Sequence, residues 1–161
     1  MDTENSLPTH AASVTIARPP EVVYAMVTDV TRMGEWSPVC KACWWDEGDS
    51  PRVGAWFTGR NEQPERTWET HCEVVAAEPG REFAFVVGGT ENAYARWGYT
   101  FAPVAEGTQL TESWEVFPAL VARFAENSDD GGAAMLAERA ATAHSGIAAT
   151  LAAIKDAAER S

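Results

Sequence analysis

The uneven distribution of aromatic residues and alanine limits the fold of this chain more than any other feature of its sequence. All seven tryptophans precede residue 118, and Phe124 is the only aromatic residue beyond it. Residues 133–160 are instead rich in alanine, and their apolar positions recur at the spacing of an amphipathic helix. These positions are Leu136, Ala140, Ala143, Ile147, Leu151 and Ile154. A long helix with one apolar face must bury that face against the aromatic part of the chain.

The aromatic part reads as a series of strands separated by turn signals. Six segments with strand character span residues 39–45, 53–60, 67–77, 82–87, 93–102 and 108–117. A further strand is predicted at 13–17, followed by a helix to about residue 29 and a short helical turn at 30–35. Short connections such as Pro79-Gly80 favour antiparallel neighbours. The sequence predicts an α+β fold, in which a curved seven-stranded antiparallel sheet surrounds the long C-terminal helix and two short helices follow the first strand.

Length and charge limit the domain count and the partners. Residues 1–11 are predicted to form a flexible tail and residues 12–161 a single domain. The chain has 12 basic and 24 acidic residues and a net charge of −12, so a nucleic acid partner is not expected. It has no apolar run of the roughly 18 residues that a membrane span needs. The polar N-terminus and an odd number of cysteines favour a cytoplasmic setting, and a homodimer is left open.

Alternation along the last two strands assigns their inner faces and their register. Matching these faces across the tight turn at 105–107 predicts three facing pairs. The pairs are Phe101 with Leu110, Tyr99 with Glu112, and Trp97 with Trp114. A carboxylate among aromatic rings needs a hydrogen-bond donor, water or a raised pKa, and Tyr99 is the nearest donor. Because the covering helix offers small side chains, we expect a space for a ligand between helix and sheet.

Seven motifs occur in order along the chain. They are Pro20–Tyr24, Val27–Asp29, Met33–Pro38, Val53–Asn61, Trp68–Val74, Pro79–Phe83 and Thr108–Trp114. Together they resemble the START-related SRPBCC superfamily and, within it, the polyketide cyclase/dehydrase group, over about residues 12–158. The resemblance implies a helix-grip fold around a deep apolar cavity, which in this superfamily binds lipids, sterols, polyketides and other hydrophobic molecules. It also implies that some members catalyse cyclisation or dehydration.

The first functional hypothesis is a module that binds a small hydrophobic molecule, such as a lipid, a polyketide or an aromatic compound. It needs no cofactor and no metal. The predicted ligand-binding residues are Trp36, Phe57, Trp68, Thr70, Cys72, Trp97, Tyr99, Glu112, Trp114, Phe124, Leu136, Ala140, Ala143 and Ile147. The alternative interpretation of the aromatic residues among them is ordinary core packing.

Two further hypotheses use the same fold. In a cyclase or dehydratase, Glu112 would exchange a proton with a carbonyl substrate, Tyr99 would support it, and Arg60 would orient a ligand oxygen. The alternative is that Glu112 and Tyr99 form a structural pair while Arg60 lies at the surface. In an interaction module of the chaperone-activator type, the outer face of the sheet would bind a partner protein, which requires an exposed apolar patch there.

The cysteines and histidines suggest no metal site. Cys40 and Cys43 have C-x-x-C spacing, but an offset of three on a strand directs two side chains to opposite faces. We therefore expect core thiols rather than a disulfide or a zinc site. The three histidines, His10, His71 and His144, form no recognisable constellation.

Overall fold

The computed structural model describes residues 7–126 and 128–160. Its seven strands form one antiparallel sheet in the order β1-β7-β6-β5-β4-β3-β2. The strands are β1 (Thr9–Ile16), β2 (Cys40–Trp45), β3 (Trp56–Gln63), β4 (Arg66–Glu78), β5 (Glu82–Val87), β6 (Ala95–Val104) and β7 (Gly107–Val116). The predicted α+β architecture of a seven-stranded antiparallel sheet and a long C-terminal helix is confirmed.

The first helix, the helical turn after it and the long C-terminal helix lie where the sequence predicts them. They are α1 (Pro20–Val27), α2 (Pro118–Glu126) and α3 (Ala133–Arg160), and two short 3₁₀ helices span Val30–Glu35 and Thr90–Asn92. Asp130 caps α3, because its carboxylate accepts the backbone N–H groups of Gly132 and Ala134 at 3.0 and 2.9 Å. No helix of the described residues is long and apolar enough to cross a membrane.

The core lies between α3, α1 and the face of the sheet toward which these helices turn, which we call the inner face. From α3 it receives Ala143, Ile147, Leu151 and Ile154. The predicted register of β6 and β7 is confirmed. The observed pairs include Phe101 with Leu110, Tyr99 with Glu112, and Trp97 with Trp114.

The strand bounds other than those of β5 are shifted from the prediction, and the largest shifts are in β1 and β3. β1 begins at Thr9 rather than at residue 13, so residues 9–11 also pair with β7, and the His10 ring lies 4.2 Å from that of His144. Residues 1–6 of the predicted tail lie outside the described residues. β3 begins at Trp56 rather than Val53, because Gly54 has a φ of 93° that interrupts the extended backbone.

Candidate functional site

A buried carboxylate and phenol on β7 and β6 form the polar centre of the inner face. The Tyr99 hydroxyl donates a hydrogen bond to Oε2 of Glu112 at 3.0 Å. Both residues are buried, with 4% of Tyr99 and 3% of Glu112 exposed. The antiparallel ladder brings them together because they are direct partners across the β6–β7 hairpin.

The second oxygen of this carboxylate has no partner. Oε1 of Glu112 is buried and accepts no hydrogen bond from any described residue. Burial raises the pKa of Glu112 to about 8, and the hydrogen bond from Tyr99 only partly opposes this shift. Burial and the nearby Glu112 also raise the pKa of Tyr99 well above its ordinary value. Glu112 can therefore hold a proton near neutral pH and donate it from Oε1, which is not engaged by any described residue.

The surroundings of Glu112 are apolar. Across the strands its row continues to Ala12 on β1 in one direction and through Tyr99 to Phe83 on β5 in the other. Its neighbours along the inner face of β7 are Leu110 and Trp114, both buried. No basic side chain contributes to the pKa of Glu112, so nothing in this row compensates a negative charge.

Arg60, the third predicted catalytic residue, does not lie beside this pair. Its side chain is 55% exposed and lies 3.3 Å from the Glu62 carboxylate. Along β3 the side chains of Phe57 and Asn61 are buried toward the inner face, so Arg60 alternates to the outer face. The sequence already indicated this, because Phe57 and Arg60 are an odd number of residues apart on one strand and so lie on opposite faces.

The structure divides the predicted ligand-binding residues into two groups. Those that are buried in the core are Trp36, Phe57, Cys72, Tyr99, Glu112, Trp114, Phe124, Ala143 and Ile147. Those that remain partly exposed are Trp68, Thr70, Trp97, Leu136 and Ala140. The buried rings contact one another, as Phe57 and Phe85 do with centroids 4.9 Å apart. The partly exposed group marks where solvent reaches the inner side of the fold.

Two surface depressions lie close to α3 and β7, and Glu112 is not part of the lining of either. The larger, of about 410 Å³, lies between β1 and α3 and is lined by Val14, Leu151 and Lys155 among others. The smaller, of about 250 Å³, lies at the end of β1 and β7 beside His10 and Trp114. Oε1 of Glu112 is thus enclosed by the chain and does not open into either depression.

The cysteine pair also differs from the prediction. The sulfur atoms of Cys40 and Cys43 lie 3.2 Å apart, so the two side chains share a face. A β-bulge causes this, because the register of β2 against β3 shifts between Cys40 and Ala42 and cancels the odd offset. Gly59 leaves room for both sulfurs, since a Cβ there would lie 3.2 and 3.3 Å from them. The hydrogen bond between the two thiols lowers the pKa of Cys40, and the same bond together with burial raises that of Cys43.

These features define a helix-grip protein with one buried acid on the inner face of its sheet. The profile of the family described as polyketide cyclase/dehydrase and lipid transport matches residues 9–159. The chain belongs to this family, and the resemblance to the polyketide cyclase/dehydrase group is confirmed.

Solved structures agree with this assignment. The chain is 48% identical to a Polyketide_cyc-like protein from Corynebacterium glutamicum, with a TM-score of 0.71 over 94% of this chain and 91% of that one. It shares its fold with a Nitrosomonas europaea protein at 16% identity and a TM-score of 0.69, over 99% and 97% of the two chains. It also shares its fold with half of StfQ, the di-domain ARO/CYC of steffimycin biosynthesis, at 16% identity and a TM-score of 0.71, over 98% of this chain and 52% of that one. No curated protein sequence matches the chain significantly.

Proposed function

We propose that the protein binds a small hydrophobic molecule, a lipid, a polyketide or an aromatic compound, between the inner face of the sheet and α3. The observation that carries this proposal is the unpartnered Oε1 of Glu112. A buried polar atom without a hydrogen bond costs about 1–3 kcal/mol, so a retained one indicates a partner that binds from outside the chain. The family description, which includes lipid transport, supports an apolar ligand.

The geometry indicates how such a ligand would be held. Tyr99 fixes Oε2, so the proton of neutral Glu112 points from Oε1 toward the ligand and can be donated to a carbonyl oxygen. The apolar body of the ligand would contact the neighbouring rings of Trp97 and Trp114, whose centroids are 6.2 Å apart. The ligand would enter past the partly exposed inner residues, and α3 would close over it.

A second candidate function is a cyclase or dehydratase that uses Glu112 as its acid and base. A carboxyl group with a pKa of about 8 can give a proton to a carbonyl or a leaving hydroxyl and take one back from carbon at neutral pH. The shared fold with the ARO/CYC StfQ makes a polyketide-like substrate the first to test.

The outer face of the sheet favours ligand binding over a protein-interaction role. Its large exposed apolar side chains include Trp44 and Trp56, which are 41% and 37% exposed. A polar network lies beside them, in which the Thr58 hydroxyl donates to Asp46 at 2.7 Å and lies 3.1 Å from Nδ1 of His71. These polar side chains interrupt the apolar surface around the two tryptophans, whereas a docking surface for a partner protein would be a continuous apolar patch.

The test separates binding from catalysis. The purified protein should carry an apolar molecule in native mass spectrometry, and Glu112→Gln should abolish turnover of a poly-ketone while affinity changes little if the protein is an enzyme. If Glu112 only binds, affinity for a ketone should fall and no turnover should exist in either protein. The absence of a bound molecule, together with no affinity for any apolar probe, would contradict both functions.

A further inference from the structure

Two arginines converge on one tryptophan at the end of the β3–β4 hairpin. The guanidinium carbon of Arg66 lies 4.0 Å from the centroid of the Trp68 ring. That of Arg139, on α3, lies 5.7 Å from the same ring and 5.6 Å from the ring of Phe124 on α2. Three segments far apart in the sequence thus place two positive charges around one partly exposed aromatic surface.

Within the described residues Arg66 and Arg139 have no carboxylate partner, in contrast to five other arginines of this acidic chain. Five arginines form ion pairs with carboxylates, namely Arg32, Arg60, Arg81, Arg96 and Arg160. Within residues 7–126 and 128–160, neither Arg66 nor Arg139 forms one. Burial and the like charge of Arg66 lower the pKa of Arg139, and Glu138 on the same helix only partly opposes them. Two unpaired cations held together favour an anion that would bind between them.

The position of this cluster fits an entrance to the inner face. Trp68 pairs with Asn61 on β3, whereas the pairing of β4 with β5 ends at Cys72 and Val87. The start of β4 therefore has a neighbouring strand on one side only. Next to Trp68, the Asn61 amide donates to the Thr70 hydroxyl at 3.2 Å. Polar groups thus continue from the arginines along the inner side of the hairpin.

We propose that Arg66 and Arg139 bind a carboxylate or a similar anionic oxygen group at this entrance, so that the ligand is a hydrophobic molecule with one anionic end. The planar guanidinium fork suits two oxygens of one such group. The apolar body would extend from the entrance toward Glu112. This inference rests on the proposed function, because it names the chemical class of the same ligand.

The test compares two probes of the same shape, naphthoate and the neutral naphthamide, in calorimetric titrations of the full chain. The wild type should bind naphthoate about tenfold more tightly or better, as expected for a hydrogen bond to a charged group. Arg66→Gln and Arg139→Gln should each remove most of this preference while changing the affinity for naphthamide far less. Added salt should weaken the preference as well.

Two further variants control for the loss of any surface arginine and for a loss of stability. Arg81→Gln is the matched control, because Arg81 is exposed and paired with Glu78 at 3.9 Å, and it should keep the full preference. Arg139→Lys retains a charge and a long stem, so it should retain part of the preference even if the glutamine variant is unstable. Equal affinity for the two probes in the wild type, or a preference that survives in the double glutamine variant, would overturn the inference alone. Failure of the wild type to bind either probe would overturn the proposed function with it.

Discussion

Glu112 lies in a row of side chains that offers it one hydrogen bond and no positive charge. The carboxyl group is therefore held neutral by its surroundings rather than by a partner, as its pKa of about 8 shows. In an unfolded chain the same group has a pKa near 4.5. This difference links the protonation of one residue to the stability of the whole fold.

The first prediction follows from the sign of this linkage. Between pH 4.5 and about 8 the unfolded chain loses the Glu112 proton while the folded chain keeps it. The contribution of Glu112 to stability is therefore full below pH 4.5 and is lost as the pH rises to about 8, by about 1.4 kcal/mol per pH unit. Urea denaturation across this range measures the free energy of unfolding of the wild type and of Glu112→Gln. The value for the wild type should fall relative to that for Glu112→Gln with this slope.

The variant Tyr99→Phe provides a second test of the same linkage. Because the Tyr99 hydrogen bond lowers the pKa of Glu112, Tyr99→Phe should extend the falling part of the curve to higher pH. Parallel curves for the wild type and Glu112→Gln would show that Glu112 has an ordinary pKa in the folded protein.

The second prediction concerns Gly59, which faces the cysteine pair. A Cβ at this position would lie 3.2 to 3.3 Å from the sulfurs of Cys40 and Cys43 and from the hydroxyl of Thr70. Gly59→Ala should therefore destabilise the protein by about 1–3 kcal/mol through overpacking. Thermal and urea denaturation measure this effect, and an unchanged stability would mean that the sulfurs lie apart in solution.

The local sequence pattern predicts a helix or a strand well where local signals alone determine its bounds. The helix α3 and the strand β5 have the predicted bounds, because helical spacing and flanking turn residues are local signals. The β6–β7 register follows from alternation across a tight turn, and it brought Tyr99 and Glu112 together.

The bulge in β2 could not be predicted, because the shift depends on how two strands pair rather than on either sequence. Arg66 and Arg139 were missed for the same reason, since only the folded chain brings β4 and α3 together.

The third prediction tests whether the glycine within α3 has a structural purpose. A Cβ on Gly146 would meet only Cγ of Pro38, at an ordinary distance of 3.9 Å. Gly146→Ala should therefore stabilise the protein by about 0.5–1 kcal/mol, because alanine restricts the unfolded chain and favours the helix. In the same denaturation experiment, Gly146→Ala and Gly59→Ala should therefore change the free energy of unfolding in opposite directions. A loss of stability would indicate that α3 packs more closely against residues 36–38 than the structure shows.

At the scale of the whole molecule, the described part of this acidic chain contains two neighbouring arginines without a carboxylate partner and one buried carboxyl group that is held neutral. The net charge of −12 would favour neutralising any accessible cation with a nearby acid. That Arg66 and Arg139 remain unpaired, and that Oε1 of Glu112 remains free, are consistent with a single elongated ligand that satisfies both ends. Such a ligand should also raise the melting temperature by mass action.

The tryptophans allow the central claim, a ligand between sheet and helix, to be tested in one experiment. Their indole N–H groups report from both faces of the sheet, with Trp97 and Trp114 on the inner face and Trp44 and Trp56 exposed on the outer face. In ¹⁵N-correlated NMR spectra recorded during a titration with naphthoate, the signals of Trp97 and Trp114 should shift together and saturate, while those of Trp44 and Trp56 stay in place. Shifts confined to the outer pair, with the inner signals unmoved at saturation, would contradict a ligand site between the sheet and α3.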